Sequence, residues 1–213
     1  MQFGDAPTAW KEAIIVPIFK KGASSKPCNY RPISLTNSAC KVFETVILHN
    51  LLVFLDTNKI ISPAQHGFLK NHSTCTNLLE SLNDWTEALN KGQETLILYV
   101  DFFKAFDSVS VPKLILKLKA ICDSLLVVIT SLLSNRTQQV RIGGSLSPSR
   151  PVMSGVQQGS ILGPTMFLIF INDLYSNLPS SATAKFFADD FKSYITCVDD
   201  DCVSDLKKTC IKY

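Results

Sequence analysis

The chain lacks most of the features that would place it in a simple class. Its seven cysteines, at 28, 40, 75, 122, 197, 202 and 210, are odd in number and scattered, with no C-x-x-C and no Cys/His cluster at zinc spacing, so reduced thiols are expected rather than a disulfide or zinc framework. The longest apolar runs, Leu125–Ile129 and Met166–Ile171, fall far short of the ~20 residues that cross a bilayer, and no membrane span is expected. Met1-Gln2-Phe3-Gly4-Asp5 has neither the basic start nor the apolar centre of a secretory leader, which points to an intracellular setting. Repeats, low-complexity tracts and Gly/Ser linkers are missing too, so nothing marks a boundary between independent domains. Charge is sparse: 21 Lys and Arg against 18 Asp and Glu leave a net +3, too mild to announce a nucleic-acid partner unaided.

What the chain does have is apolar residues, 46% of 213, enough to offset chain entropy and exclude general disorder. Its charge is unevenly placed. Residues 11–41 carry Lys11, Lys20, Lys21, Lys26, Arg31 and Lys41 against the single acid Glu12, whereas Asp173, Asp189, Asp190, Asp199, Asp200, Asp201 and Asp205 crowd the last fifth. One end favours anions and the other cations.

Periodicity gives the elements. After Pro17 and the Lys20-Lys21-Gly22 turn a polar loop is expected, then helices over Thr36–Leu55 and Thr76–Lys91, the second closed by Gly92. Thr95–Val100 is short, β-branched and apolar on both faces, like a buried strand, and runs into Asp101. Pro112–Ser134 is helical, Gln138–Ile142 a strand with Ser147–Met153 as its hairpin partner, and Ser160–Asn177 a buried helix with Pro164 near its start. Ala184–Ala188 and Phe191–Thr196 read as strands joined at Asp189-Asp190, and Val198–Thr209 as a final helix. The order implies an α+β fold with helices on one face of a sheet.

The two adjacent acids between apolar strands carry the chemistry. Ionised carboxylates with little water around them cost several kcal/mol each without compensation. A lone Asp-Asp pair is more often a solvated turn, so the pair alone decides nothing. Asp101 is a second acid at a strand end, and if its strand lies beside the 184–196 hairpin, three carboxylates converge. Such hard oxygen donors suit Mg²⁺, which fills its remaining ligand positions with water and substrate phosphate. A pair of such ions supports in-line phosphoryl displacement, making nucleotidyl transfer the leading chemistry.

Five segments together resemble the reverse transcriptase of non-LTR retrotransposons, the long interspersed element type. They are Trp10-Lys11-Glu12-Ala13 through Pro17-Ile18-Phe19-Lys20-Lys21-Gly22; Asn29-Tyr30-Arg31-Pro32-Ile33-Ser34-Leu35; Gln65-His66-Gly67-Phe68; Leu98 to Asp107; and Gly155 to Pro164 with Ile171-Asn172-Asp173-Leu174, closed by Phe187-Ala188-Asp189-Asp190. The resemblance implies a right-hand polymerase fold with residues 1–94 as fingers and 95–213 as an antiparallel palm. It implies an RNA-directed DNA polymerase that takes deoxynucleotides, an RNA template and a DNA primer, and two Mg²⁺ ions with Mn²⁺ as the substitute. Asp101, Asp189 and Asp190 match the metal-binding carboxylates. Phe106 matches the bulky residue that presses on the sugar and excludes a 2′-hydroxyl; the alternative is an ordinary core Phe. Gln158 and Gly159 match the loop lining the nascent base pair. Arg31 and Lys20 match positions that meet triphosphate or template, against a solvated surface charge. Asp107 reads as structural, satisfying backbone donors past the strand end, with aid in metal binding as the alternative, and His66 and His72 as structural or surface.

Two departures stand out. Gln157 occupies the position where the family has Pro before Gln-Gly, and Lys119–Ser124 runs into Leu125 where relatives carry a Gly-containing turn. The chain is expected to stop after the palm, without a thumb. The alternative function is a catalytically silent remnant that binds nucleic acid or protein; an RNA-directed RNA polymerase shares the acidic turn, but the fingers segments and Phe106 speak against it. Elements of this type act on chromosomal DNA, which would add the nucleus to the intracellular reading, though no basic import cluster stands out. Oligomeric state is not legible.

Overall fold

The computed structural model describes residues 4–121 and 125–197. In chain order the elements are β1 (Glu12–Phe19), β2 (Tyr30–Leu35), α1 (Ser38–Thr57), α2 (Thr74–Asn90), β3 (Glu94–Asp101), α3 (Ala105–Ser108), α4 (Val111–Ile121), α5 (Leu126–Leu133), β4 (Thr137–Ile142), β5 (Ser145–Leu146), β6 (Arg150–Pro151), α6 (Gly163–Ile171), β7 (Thr183–Phe187) and β8 (Asp190–Cys197). Helices and strands mix as the α+β reading expects. They fall into two compact units interleaved along the chain, one from residues up to Ile60 with Phe106–Phe170, the other from Ile61–Ala105 with the chain from Ile171 onward. The helix expected over Val198–Thr209 lies outside the described residues.

In the first unit β1 pairs antiparallel with β2, from Ile14↔Leu35 to Phe19↔Tyr30, and parallel with β4, from Glu12↔Thr137 to Ile15↔Val140. The polar loop expected after Pro17 is therefore partly β2. Pro17 and Pro32 disguised the hairpin, since proline cannot donate to a ladder. They sit directly opposite each other, beyond the residues where β1 also pairs with β4, so no partner strand is deprived of a donor there. Asn37 caps α1, its side chain accepting from the Ala39 and Cys40 amides. Buried Cys40, Glu44, Ile47, Leu51 and Leu55 recur at helical spacing on α1. By length and composition α1 is long and apolar enough to cross a membrane, and Cys40, Glu44, Ile47, Leu51 and Leu55 along it are buried in this unit. Pro112–Ser134 is two helices, α4 and α5, not one. Cys28, Cys40 and Cys75 are free thiols, as expected.

The second unit is built on the sheet β3-β8-β7, antiparallel throughout, with β8 central. One face buries Ala184, Phe186 and Phe191 with Ala64 and Leu174, against which Val100, Phe102, Ile171 and Leu178 pack. Phe186 and Phe191 stack at 4.7 Å, an arrangement that contributes about 0.5–1.5 kcal/mol beyond area burial. The other face carries Lys185, Lys192 and Tyr194 toward α2, whose start is fixed by a capping box between Ser73 and Thr76. The strand expected to be buried on both faces is an edge among the described residues: β3 leaves Ile97, Tyr99 and Asp101 exposed. Its apolar pattern cannot tell an edge from a centre; only pairing decides that.

Candidate active site

The acids come together as strand ends. Asp101 closes β3, Asp190 opens β8, and the two are direct cross-strand partners. Ala188 and Asp189 form the two-residue turn closed by the pair Phe187↔Asp190. Opposed residues project from the same face of a sheet, so Asp101 and Asp190 share the face of Tyr99 and Lys192, away from the apolar cluster. Both are exposed. Like charges placed opposite repel, and among the described residues neither carboxylate has a hydrogen-bonding or ionic partner. This donor set, two hard and uncompensated oxygen ligands open to solvent, fits a divalent cation that completes its shell with water and phosphate. The structure preassembles a pair and not a triad: among the described residues no three His, Cys, Asp or Glu side chains are grouped to hold one ion.

Behind the pair lies a cavity of about 390 Å³ lined by Tyr99, Asp101, Asp190, Lys185, Lys192 and Leu78 among others. Lys192 is buried, donates to the Asn77 carbonyl at 3.4 Å and lies 5.6 Å over the Trp85 ring. Burial first, then Lys185, hold its ammonium below the usual lysine range. Lys185 pairs with Glu80, whose carboxyl is held down chiefly by that bond. His66, read from sequence as structural, is buried; its Nδ1 lies 2.9 Å from Thr76 Oγ1 and its Nε2 3.4 Å from Glu80. The cations of this region are thus satisfied within the protein, while the acids face outward.

The other candidates all belong to the first unit. The Gln158 carbonyl accepts from the Ser34 amide at 2.7 Å, and its side chain donates to Asp107 Oδ1 at 2.9 Å. Asp107 therefore anchors this loop through a side chain, not through the backbone donors expected of it. Gly159 has φ +118°, and a Cβ there would meet the Ser34 carbonyl oxygen at 2.5 Å, so only glycine fits. Phe106 is half-buried and stacked on Phe167 at 4.4 Å. Arg31 is exposed on β2 opposite Ile18, and Lys20 is exposed just past β1.

Sequence reasoning missed what holds the Gln158-Gly159 loop. Glu44, only 5% exposed, accepts from the Ile161 amide at 2.7 Å. Burial pushes its carboxyl above the usual range, opposed by the Ile161 and Leu162 amides and by the nearby charges of Lys41 and Arg136. Arg136 is equally buried, and burial lowers its guanidinium to about 10. Glu44, Arg136 and Gln157 line a cavity of about 20 Å³, room for one water, where Arg136 Nε and Gln157 Nε2 lack a protein partner. Gln157, standing where proline was expected, contributes a polar side chain to this pocket. The available signal was an acid within the apolar stripe Cys40, Ile47, Leu51, Leu55.

Residues 18–210 match the family described as reverse transcriptase (RNA-dependent DNA polymerase). The chain belongs to that family, and the resemblance read from its five segments is borne out. It is 36% identical over 181 residues to the RNA-directed DNA polymerase from mobile element jockey of Drosophila melanogaster, covering 84% of this chain and 20% of that protein. It is 32% identical over 189 residues to the probable RNA-directed DNA polymerase from transposon X-element of the same fly, covering 86% and 21%. The chain thus spans about a fifth of the length of these relatives. Telomerase from Candida albicans, solved with a fragment of telomeric RNA, superposes with TM-score 0.66 at 14% identity, covering 96% of this chain and 40% of that one. Telomerase from Candida tropicalis gives 0.65 at 15%, covering 96% and 38%. These structures share its fold.

Proposed function

We propose that the chain is the catalytic portion of an RNA-directed DNA polymerase of the non-LTR type, adding deoxynucleotides to a DNA primer on an RNA template inside the cell, the nucleus included. The observation that carries this reading is the opposition of Asp101 and Asp190 at the end of β3 and β8, with Asp189 beside them in the turn. These three carboxylates would hold two Mg²⁺ ions, or Mn²⁺ in their place. The chemistry supplied by the bound metal is activation of the primer 3′-hydroxyl and stabilisation of the leaving pyrophosphate. The protein's own residues do the rest. Residues 1–94 act as fingers, with Arg31 and Lys20 offering charge to triphosphate or template; residues 95–213 act as palm. Gln158 and Gly159 line the nascent base pair, Gly159 letting the backbone approach closely, and Phe106 excludes a 2′-hydroxyl.

The test is primer extension on an RNA template by this chain with Mg²⁺, run in parallel with deoxy- and ribonucleotides. Extension with deoxynucleotides that falls about 10³-fold or more in Asp189→Ala supports the reading, a loss on the scale of the several kcal/mol that metal chemistry supplies. Phe106→Ala should then admit ribonucleotides. A folded chain that binds nucleic acid yet extends nothing would instead be the silent remnant.

A further inference from the structure

We propose that Gln65 is a positioning residue for the acidic turn, its carboxamide oxygen setting the backbone from which Asp189 and Asp190 project. Ala188, the first residue of that two-residue turn, has φ +56°, a left-handed conformation that hairpin turns normally give to Gly or Asn and that a residue with a Cβ holds only when its surroundings impose it. The surroundings are the Gln65–Gly67 segment. Gln65 is 4% exposed, and its Oε1 accepts from the Ala188 amide at 3.0 Å and from the Gly67 amide at 2.7 Å. Two donors converge on one oxygen, which fixes the orientation of the amide group.

The backbone lays the segment against β7 like an added strand. His66 N donates to Phe186 O and Phe186 N to Ala64 O, each at 2.9 Å, and Gln65 bridges Phe186 in parallel register. Asn77 Nδ2 donates to the same Phe186 carbonyl at 3.0 Å. Gly67 closes the cradle: a Cβ there would lie 2.3 Å from the Ala188 nitrogen and 2.9 Å from its Cα. Without the Gln65 oxygen, two buried amides lose their acceptor and the left-handed Ala188 loses the bond that ties it to the neighbouring segment. The turn is then free to relax, and Asp189 and Asp190 lose their set placement beside Asp101.

This inference rests on the reading of those acids as metal ligands, and its test has two readouts on the full chain. One is the affinity for Mn²⁺ alone, by electron paramagnetic resonance; the other is hydrogen exchange at the Ala188 amide. Gln65→Leu is expected to weaken Mn²⁺ binding about tenfold, on the scale of one lost charge-orienting bond, and to expose the Ala188 amide to exchange. Gln65→Glu keeps an acceptor oxygen in the same place and should keep the Ala188 amide protected, whereas Gln65→Leu, of similar volume, should not, so the two variants separate the hydrogen bond from mere filling of space. Gly67→Ala should reproduce the loss without touching Gln65. A folded Gln65→Leu or Gly67→Ala with unchanged Mn²⁺ affinity and unchanged amide protection overturns the proposal, as does failure of Gln65→Glu to keep the Ala188 amide protected. If the wild type binds no Mn²⁺, the metal reading falls, while protection of the Ala188 amide still decides whether Gln65 holds the turn.

Discussion

The two regions that carry the candidate residues treat charge in opposite ways. At the end of the three-stranded sheet, Asp101 and Asp190 stand opposed and exposed, with no partner among the described residues. Beneath the Gln158-Gly159 loop, Glu44 and Arg136 are buried near each other, Glu44 bonded to the backbone of the loop it supports. Burial explains the difference. A charge inside must be compensated where it stands, or it destabilises the fold. A charge at a wet strand end costs only modest repulsion, so it remains available to a ligand. One region is built to hold a shape and the other to hold something that arrives.

The comparison is most directly broken at Glu44. Replacing it with Ala strips the Ile161 amide of its acceptor and leaves Arg136 buried without a countercharge, so denaturant unfolding should show a loss of about 3 kcal/mol; a change below about 0.5 kcal/mol would mean the pocket is not the support it is taken to be. Next in size is the basic hairpin. If Lys20, Lys21, Lys26 and Arg31 each meet a phosphate, affinity for a single-stranded template should fall about 50-fold between roughly 50 and 200 mM salt. A flat response removes β1 and β2 from the template path.

The exposed pair gives a smaller effect of the opposite sign from Glu44. Asp101→Asn removes one of two opposed like charges, and without divalent metal it should raise the melting temperature by about 1–2 °C. A fall instead would show that Asp101 has a structural partner.

The smallest prediction concerns pH. Burial holds His66 below the ordinary imidazole value of 6.5, with Glu80 opposing, so the folded state favours the neutral ring. Its contribution is present above 6.5 and is lost as pH falls through that value toward the lowered folded one, because the unfolded chain takes up the proton first. Glu44, raised above 4.5, slopes the other way above that pH. The difference between wild type and His66→Gln isolates the imidazole: the wild type should lose melting temperature below pH 6.5 more steeply than the variant, and parallel profiles would remove His66 from the account.

Much of the second unit was legible because its signals are local. Apolar residues on either side of Asp189-Asp190 announce a hairpin, and the run ending at Asp101 announces a strand with an acid at its tip. The β1–β2 hairpin was not legible, since two prolines that harm a ladder singly are harmless when they face each other. The roles of Gln65 and Glu44 were not legible either, although Gln65 stands in one of the family segments and Glu44 is an acid set in an apolar stripe. A glutamine in a loop and a glutamate on an amphipathic helix are ordinary in sequence, and what distinguishes them is the backbone amides they meet, 123 and 117 positions away.

The order of residues alone settled many of the elements, the β7–β8 hairpin and the acid-tipped β3 among them, because strand and helix periods and turn preferences act over a few neighbours. It also settled the family, through five short segments in sequence order. Pairing decided the rest: that β8 and not β3 is the centre of its sheet, that Asp190 faces Asp101, and that amides far along the chain find Gln65 and Glu44. Hydrogen bonds and burial depend on what is near in space, and that proximity exists only once the chain has folded.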